Sequence, residues 1–132
     1  MDMIIDFPGG ARVDAHFRGL DVATDQPPQG GGTNSAPMPF ELFLASIGTC
    51  AGIYVLGFCK SRGLPTEGIR IVQRNSYHPL THMVTDIELD IQLPASFPEK
   101  YKDAVIRSAD QCKVKKTMEQ PPNFYVHTSV TV

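Results

Sequence analysis

Between Glu41 and Lys60 the chain carries 18 residues, Leu42 to Cys59, without a single charge. Such a run has few ways to fold. Its length approaches that of a membrane-spanning helix, and Gly48 and Gly52 supply the G-x-x-x-G spacing that lets membrane helices touch. Ser46, Thr49 and three glycines dilute the apolarity, however, and neither a basic cluster nor an aromatic belt flanks the run. The run therefore reads as a buried helix of a soluble protein. A helix that is apolar all round needs cover on every side, which a chain of 132 residues with mostly half-polar strands can hardly provide. The expectation is a second copy of the chain, with Gly48 and Gly52 letting two such helices approach across a two-fold axis.

The flanking segments alternate. Met3 to Phe7 suggests a strand turned by Pro8-Gly9-Gly10, and Val13 to Phe17 and Leu20 to Thr24 suggest two strands joined at Gly19. Asp25 to Pro39, with four Pro and three Gly, reads as a long loop that is either functional or a linker across a sheet edge. Gly63-Leu64-Pro65 ends the helix. Ile69 to Arg74 and Val84 to Leu93 read as strands, the second alternating without a break. Ser96-Phe97-Pro98-Glu99 has the form of a capping box, after which Tyr101, Val105, Ser108, Ala109 and Cys112 recur at helical spacing. Lys113 to Glu119 suits a further short helix, and Phe124 to Val132 alternates as a final strand. The order of elements is α+β, in a single domain over 1–132.

Twelve basic against fourteen acidic residues give a net charge of -2, which provides no electrostatic footprint for nucleic acid or an anionic membrane. Three cysteines without a C-x-x-C pair indicate neither a disulfide scaffold nor a zinc ribbon. The segment Met1 to Phe7 has two acidic residues, no basic one and only a short apolar stretch, unlike a signal peptide, so a cytoplasmic location is expected.

Chemistry centres on Cys50, which lies among the small neighbours Gly48, Thr49, Ala51 and Gly52. A packing cysteine needs no such clearance, whereas a reactive one does. Cys59 reads as core filling. Cys50 and Cys112 are expected on two different helices and can form a transient disulfide if the fold brings their Cα atoms within about 4.4 to 6.8 Å. A peroxide-reducing thiol needs a cation to hold it as thiolate; Arg18 and Arg12 are the candidates before the helix. Glu41 suits the first turn of the helix and, nine residues before Cys50, stands on the opposite helical face. His78 and His82 have Pro79 between them, which opposes a helical metal pair, and Gly30 to Gly32 lacks a phosphate-loop context.

Thr24-Asp25-Gln26-Pro27, Gly30 to Gly32, the stretch Pro37 to Cys50, Arg62-Gly63-Leu64-Pro65 and Cys112 to Thr117 together resemble the OsmC/Ohr superfamily of osmotically inducible and organic hydroperoxide resistance proteins. The resemblance implies antiparallel sheets around a long buried central helix in an intertwined homodimer. It further implies a cofactor-free thiol peroxidase: Cys50 reduces an organic hydroperoxide and becomes a sulfenic acid, Cys112 resolves it as a disulfide, and a dithiol reductant restores both thiols. Arg18 would stabilise the thiolate, with Glu41 orienting it from the dimer partner. The sequence departs from the peroxidase pattern, since Phe40 stands where that branch has its acid and Lys113 follows the second cysteine. A non-catalytic dimer that binds a small ligand or senses redox state is the alternative reading.

Overall fold

Residues 1–131 are described by the computed structural model, whose chain falls into two units, Met1–Ser46 and Ile47–Val132. In the first, three antiparallel strands lie in the order β1 (Ile4–Gly9), β2 (Arg12–Phe17), β3 (Leu20–Val22). Arg18 and Gly19 join β2 to β3 with φ values of 39° and 80°. A two-residue turn with both φ positive matches the twist of the strands it connects.

The long loop that follows is organised around a buried charge. Asp25 is 1% exposed. Its carboxylate accepts hydrogen bonds from the backbone N–H groups of Gln26, Thr33 and Ser35 and from the hydroxyls of Thr33 and Ser35, at 2.6 to 3.4 Å. The Ser35 hydroxyl, then the Ser35 and Gln26 amides, hold this carboxyl far below the usual carboxylate range. Close approach of backbone makes a glycine necessary: a Cβ on Gly32 would lie 1.9 Å from the Gln26 carbonyl oxygen and 2.5 Å from Asp25 Oδ1. Proline- and glycine-rich sequence thus folds into an ordered cradle rather than a slack linker.

Helix α1 spans Pro39–Ser61. Proline suits its first position, and Glu41 Oε1 accepts the Met38 N–H at 2.9 Å. At the other end the Leu64 N–H reaches the Cys59 carbonyl at 2.9 Å and the Gly63 N–H that of Lys60 at 3.3 Å, with Gly63 at φ 64°. These paired bonds and the left-handed glycine close the helix as the sequence predicts.

In the second unit β4 (Arg70–Tyr77) pairs antiparallel with β5 (Val84–Gln92), placing Ile71 opposite Ile91 and Gln73 opposite Leu89. Their inward side chains pack on a core formed by Ala51, Val55, Phe58 and Cys59 of α1 with Phe97, Val105 and Ala109. Each large apolar side chain buried there contributes about 1.5 to 3 kcal/mol. Val105 and Ala109 come from α2 (Lys102–Ala109), and α3 (Lys113–Glu119) follows. The expected α+β class with antiparallel sheets and a long helix is therefore present.

Several local expectations need correction. Ser96 caps nothing: Pro98 disfavours a helical conformation in Phe97 before it, and a single 3-10 turn at Glu99–Tyr101 begins only after Pro98, which is itself extended. Cys112 is not on the second helix but is the N-cap of α3, at φ -46° and ψ 120°. Gly48 and Gly52 face the chain's own sheet, since a Cβ on Gly48 would meet Gln73 Oε1 at 2.4 Å and one on Gly52 would meet the Ile71 side chain at 3.9 Å. The missing side chain at Gly48 makes room for Gln73 of β4, whereas Gly52 stands at ordinary contact distance from Ile71. Residues 124–131 form no strand, with Phe124, Tyr125, Val126 and Val130 all exposed; Val132 lies outside the described residues. Helix α1 is buried on one face only, leaving Phe43, Ile53 and Tyr54 exposed on others.

Candidate active site

The restart of the helix at α3 builds the site. Because Cys112 takes a non-helical conformation, its own Sγ can accept the Lys115 N–H at 3.4 Å, while the amides of the first turn are left without helical partners. Two of these amides, of Val114 and Lys113, hydrogen-bond to the sulfur of Cys50 on α1. The Cys112 thiol hydrogen-bonds to the same sulfur. Cys112 Sγ also lies 3.8 Å from the Ile47 carbonyl oxygen, which fixes the start of α3 against α1.

Burial pushes the Cys50 thiol up, but the Val114 amide, the Cys112 thiol, the Lys113 amide and the Lys113 charge together outweigh it, and the net direction is down. Cys59 makes the contrast. It is fully buried, and burial pushes its thiol up with only the charge of Arg62 opposing. Cys50 is half-buried and Cys112 buried, and all three cysteines are free thiols. The fold thus brings Cys50 and Cys112 together, whereas Cys59 fills the core as the sequence suggests.

Arg18 and Glu41 belong to the first unit. Arg18 is an exposed turn residue with its guanidinium 6.0 Å from the Phe17 ring centre, and Glu41 is engaged with the Met38 amide. Arg12 is paired with Asp14 at 2.7 Å. Phe40 packs against Phe43 with ring centres 5.4 Å apart. Sequence reasoning missed Lys113 and Val114, whose contribution is mostly backbone; the one available signal was a short helix beginning directly after Cys112. His78 Nδ1 accepts the amides of Leu80 and Thr81 in the β4–β5 turn, and no cluster fit for a metal occurs among the described residues.

Beside Cys112 lies a cavity of about 400 Å³ with apolar walls from Leu89, Ile91, Ile106 and Ala109. With this geometry the sequence matches the OsmC-like protein family over residues 32–127. The chain belongs to that family.

Solved structures of similar fold agree with this assignment. An osmotic stress induced and detoxification response protein from Psychrobacter arcticus matches with a TM-score of 0.74 at 18% identity, over 87% of this chain and 85% of that one. A hypothetical protein from Aquifex aeolicus matches with a TM-score of 0.63 at 17% identity, over 92% and 89%. An organic hydroperoxide resistance protein OsmC from Legionella pneumophila, also described as a redox protein, matches with a TM-score of 0.55 at 16% identity, over 89% of each chain. At these identities the likeness is one of fold. No curated protein matches the chain in sequence.

Proposed function

We propose that this OsmC-like protein is a cytoplasmic thiol peroxidase that reduces organic hydroperoxides through Cys50 and Cys112. The observation that carries the reading is the placing of Cys112 and the first-turn amides of α3 beside Cys50, where they lower its thiol. The thiolate is the form that attacks the O–O bond, and a neighbouring thiol can convert the product into a disulfide within the chain.

The Cys50 thiolate attacks the terminal oxygen of ROOH, the O–O bond breaks, and the departing alkoxide takes a proton from solvent to give ROH. Cys50 is then a sulfenic acid. The Cys112 sulfur displaces its hydroxyl as water, forming the Cys50–Cys112 disulfide. A dithiol returns two electrons and two protons, regenerating both thiols and leaving its own disulfide. No cofactor enters these steps.

A homodimer completes the proposal. The exposed Ile53 and Tyr54 of α1, and the exposed β-prone stretch from Phe124, are surfaces a second copy would cover. Arg18 and Glu41 would then support the Cys50 thiolate across the dimer. Dithiol-dependent consumption of cumene hydroperoxide tests the activity. The expected result is turnover by the native chain and none by Cys50→Ser; equal rates would remove Cys50 from the reaction.

A further inference from the structure

One face of the three-stranded sheet is charged. Side chains alternate across a strand, so the register places Asp6 of β1, Arg12, Asp14 and His16 of β2 and Asp21 of β3 on the same side. His16, in the middle strand, has a carboxylate at each ring nitrogen: Asp21 Oδ1 lies 2.6 Å from Nδ1 and Asp6 Oδ1 lies 3.1 Å from Nε2. Arg12 and Asp14 are paired with each other at 2.7 Å, and Arg18 follows in the turn beside the Phe17 ring.

Two carboxylates fix the state of the ring. A neutral imidazole has one N–H and one lone pair, and here the lone pair would face a carboxylate oxygen. Only the imidazolium donates to both. The bonds to Asp21 and then to Asp6 accordingly raise the His16 ring above its ordinary value, against a smaller opposing desolvation. Both bonds join short or strained ladders. Strand β3 is three residues long, and the His16–Asp21 bond crosses its hairpin one pair before the Arg18–Gly19 turn. On the other side Asp6 stands directly opposite Asp14, a like-charge pair that works against the β1–β2 ladder, and the register shifts between Asp6 and Gly9.

We propose that His16, as an imidazolium, is a positioning residue that clasps β1 and β3 to β2, fixes the turn presenting Arg18, and loosens both as it gives up its proton. Its effect on the chemistry rests on the support of the Cys50 thiolate by Arg18 proposed above. A ring raised in the folded state contributes order that is complete below the ordinary histidine value of about 6.5 and is lost as pH rises through the higher folded value. After proton loss the one remaining N–H stays with the nearer Asp21, without its charge assistance, and Asp6 is left facing Asp14 and a ring lone pair. Strand β1 is therefore released first, and the Arg18 turn loosens with it. The clasp holds Arg18 most firmly in mild acid, where a thiolate is scarcest and a supporting cation matters most.

Nitrogen NMR of the histidine rings in the full chain follows the proton itself. The His16 midpoint is expected above about 6.5, with Asp21→Asn lowering it more than Asp6→Asn. Exposed ion pairs contribute little to global stability, so the structural readout is local order. Backbone relaxation at Arg18 and Gly19, and amide exchange along β1 corrected for its intrinsic pH dependence, should show loosening across that same midpoint in the native chain and at every pH in His16→Gln. Turnover of cumene hydroperoxide gives the functional readout. The native chain should exceed His16→Gln by about two- to fivefold near pH 6 at low salt, and the two should converge above the midpoint. His16→Lys, which stays cationic throughout, should keep its advantage over His16→Gln without the pH dependence. A midpoint at or below about 6.5, or a turn whose order ignores the titration of the ring, would overturn the proposal. A native-to-His16→Gln ratio that is flat with pH, in a chain that does turn over hydroperoxide, would overturn it and spare the peroxidase. An inactive native chain in which β1 and the Arg18 turn still loosen with the ring would sink the peroxidase alone and leave the clasp standing.

Discussion

Asp25 in the first unit and Cys50 in the second are both shifted toward their anions by hydrogen bonds, but in different ways. Asp25 receives five N–H and O–H donors from its own loop, is 1% exposed, and has its carboxyl driven far down. Cys50 receives two amides and a thiol, remains half-buried, and has its thiol lowered against an opposing desolvation that is the largest single influence on it. Five donors around a buried carboxylate, four of them on Oδ2, make that anion structural. Partial support favours the thiolate and leaves its sulfur able to donate electrons to a substrate.

Exchanging the two anions for uncharged groups separates these roles most sharply. Cys50→Ser should lower hydroperoxide turnover by at least about 10³-fold, as expected when a nucleophile is removed, with the melting temperature little changed. Asp25→Asn should do the reverse, lowering the melting temperature by about 5 to 10 °C while the alkylation rate of Cys50 in the folded protein stays as it was. A loss of turnover in Asp25→Asn at temperatures where it is folded would erase the distinction. Gly32→Ala should destabilise the chain at least as much as Asp25→Asn, since the added methyl meets the Gln26 backbone as well as the fixed Asp25 carboxylate.

Acid distinguishes the anions further. A carboxyl depressed in the folded state stabilises the fold at every pH above the ordinary carboxylate range, and that contribution is lost as pH falls from about 4 toward its lower folded value. Thermal melts of the native chain should therefore fall steeply below about pH 4, and those of Asp25→Asn should fall less. Parallel curves would mean that Asp25 is not the group being titrated.

These differences also explain what could be read in the sequence. Helix α1, strand β5 and the β2–β3 hairpin were legible because periodicity, an uncharged run and a turn glycine are local signals. The pairing of Cys50 with Cys112 followed from the family resemblance. The means of lowering the Cys50 thiol did not, because it consists of amides that any residue supplies and of a helix that restarts at Cys112, where cysteine is not a usual cap. Ser96 misled because the capping-box pattern ignores the constraint that Pro98 places on Phe97. The alternation from Phe124 to Val132 misled for another reason. A strand exists only beside a neighbour, and residues 124–131 have none within this chain.

The smallest expected effect concerns the exposed charge at the start of α3. Lys113→Gln removes the cation and keeps the amide, so alkylation of Cys50 near neutral pH should slow by only about two- to fivefold, and less at high salt. A much larger loss would make the side chain, not the backbone, the main support of the sulfur.

The pH dependence of iodoacetamide alkylation at Cys50, followed by peptide mass spectrometry on the native chain, tests the central claim most directly. The account predicts a midpoint below the value of about 8.5 for a free cysteine, with Cys59 unreactive over the same range. A midpoint at or above that value would contradict it, because the amides of Val114 and Lys113 would then not be holding a thiolate.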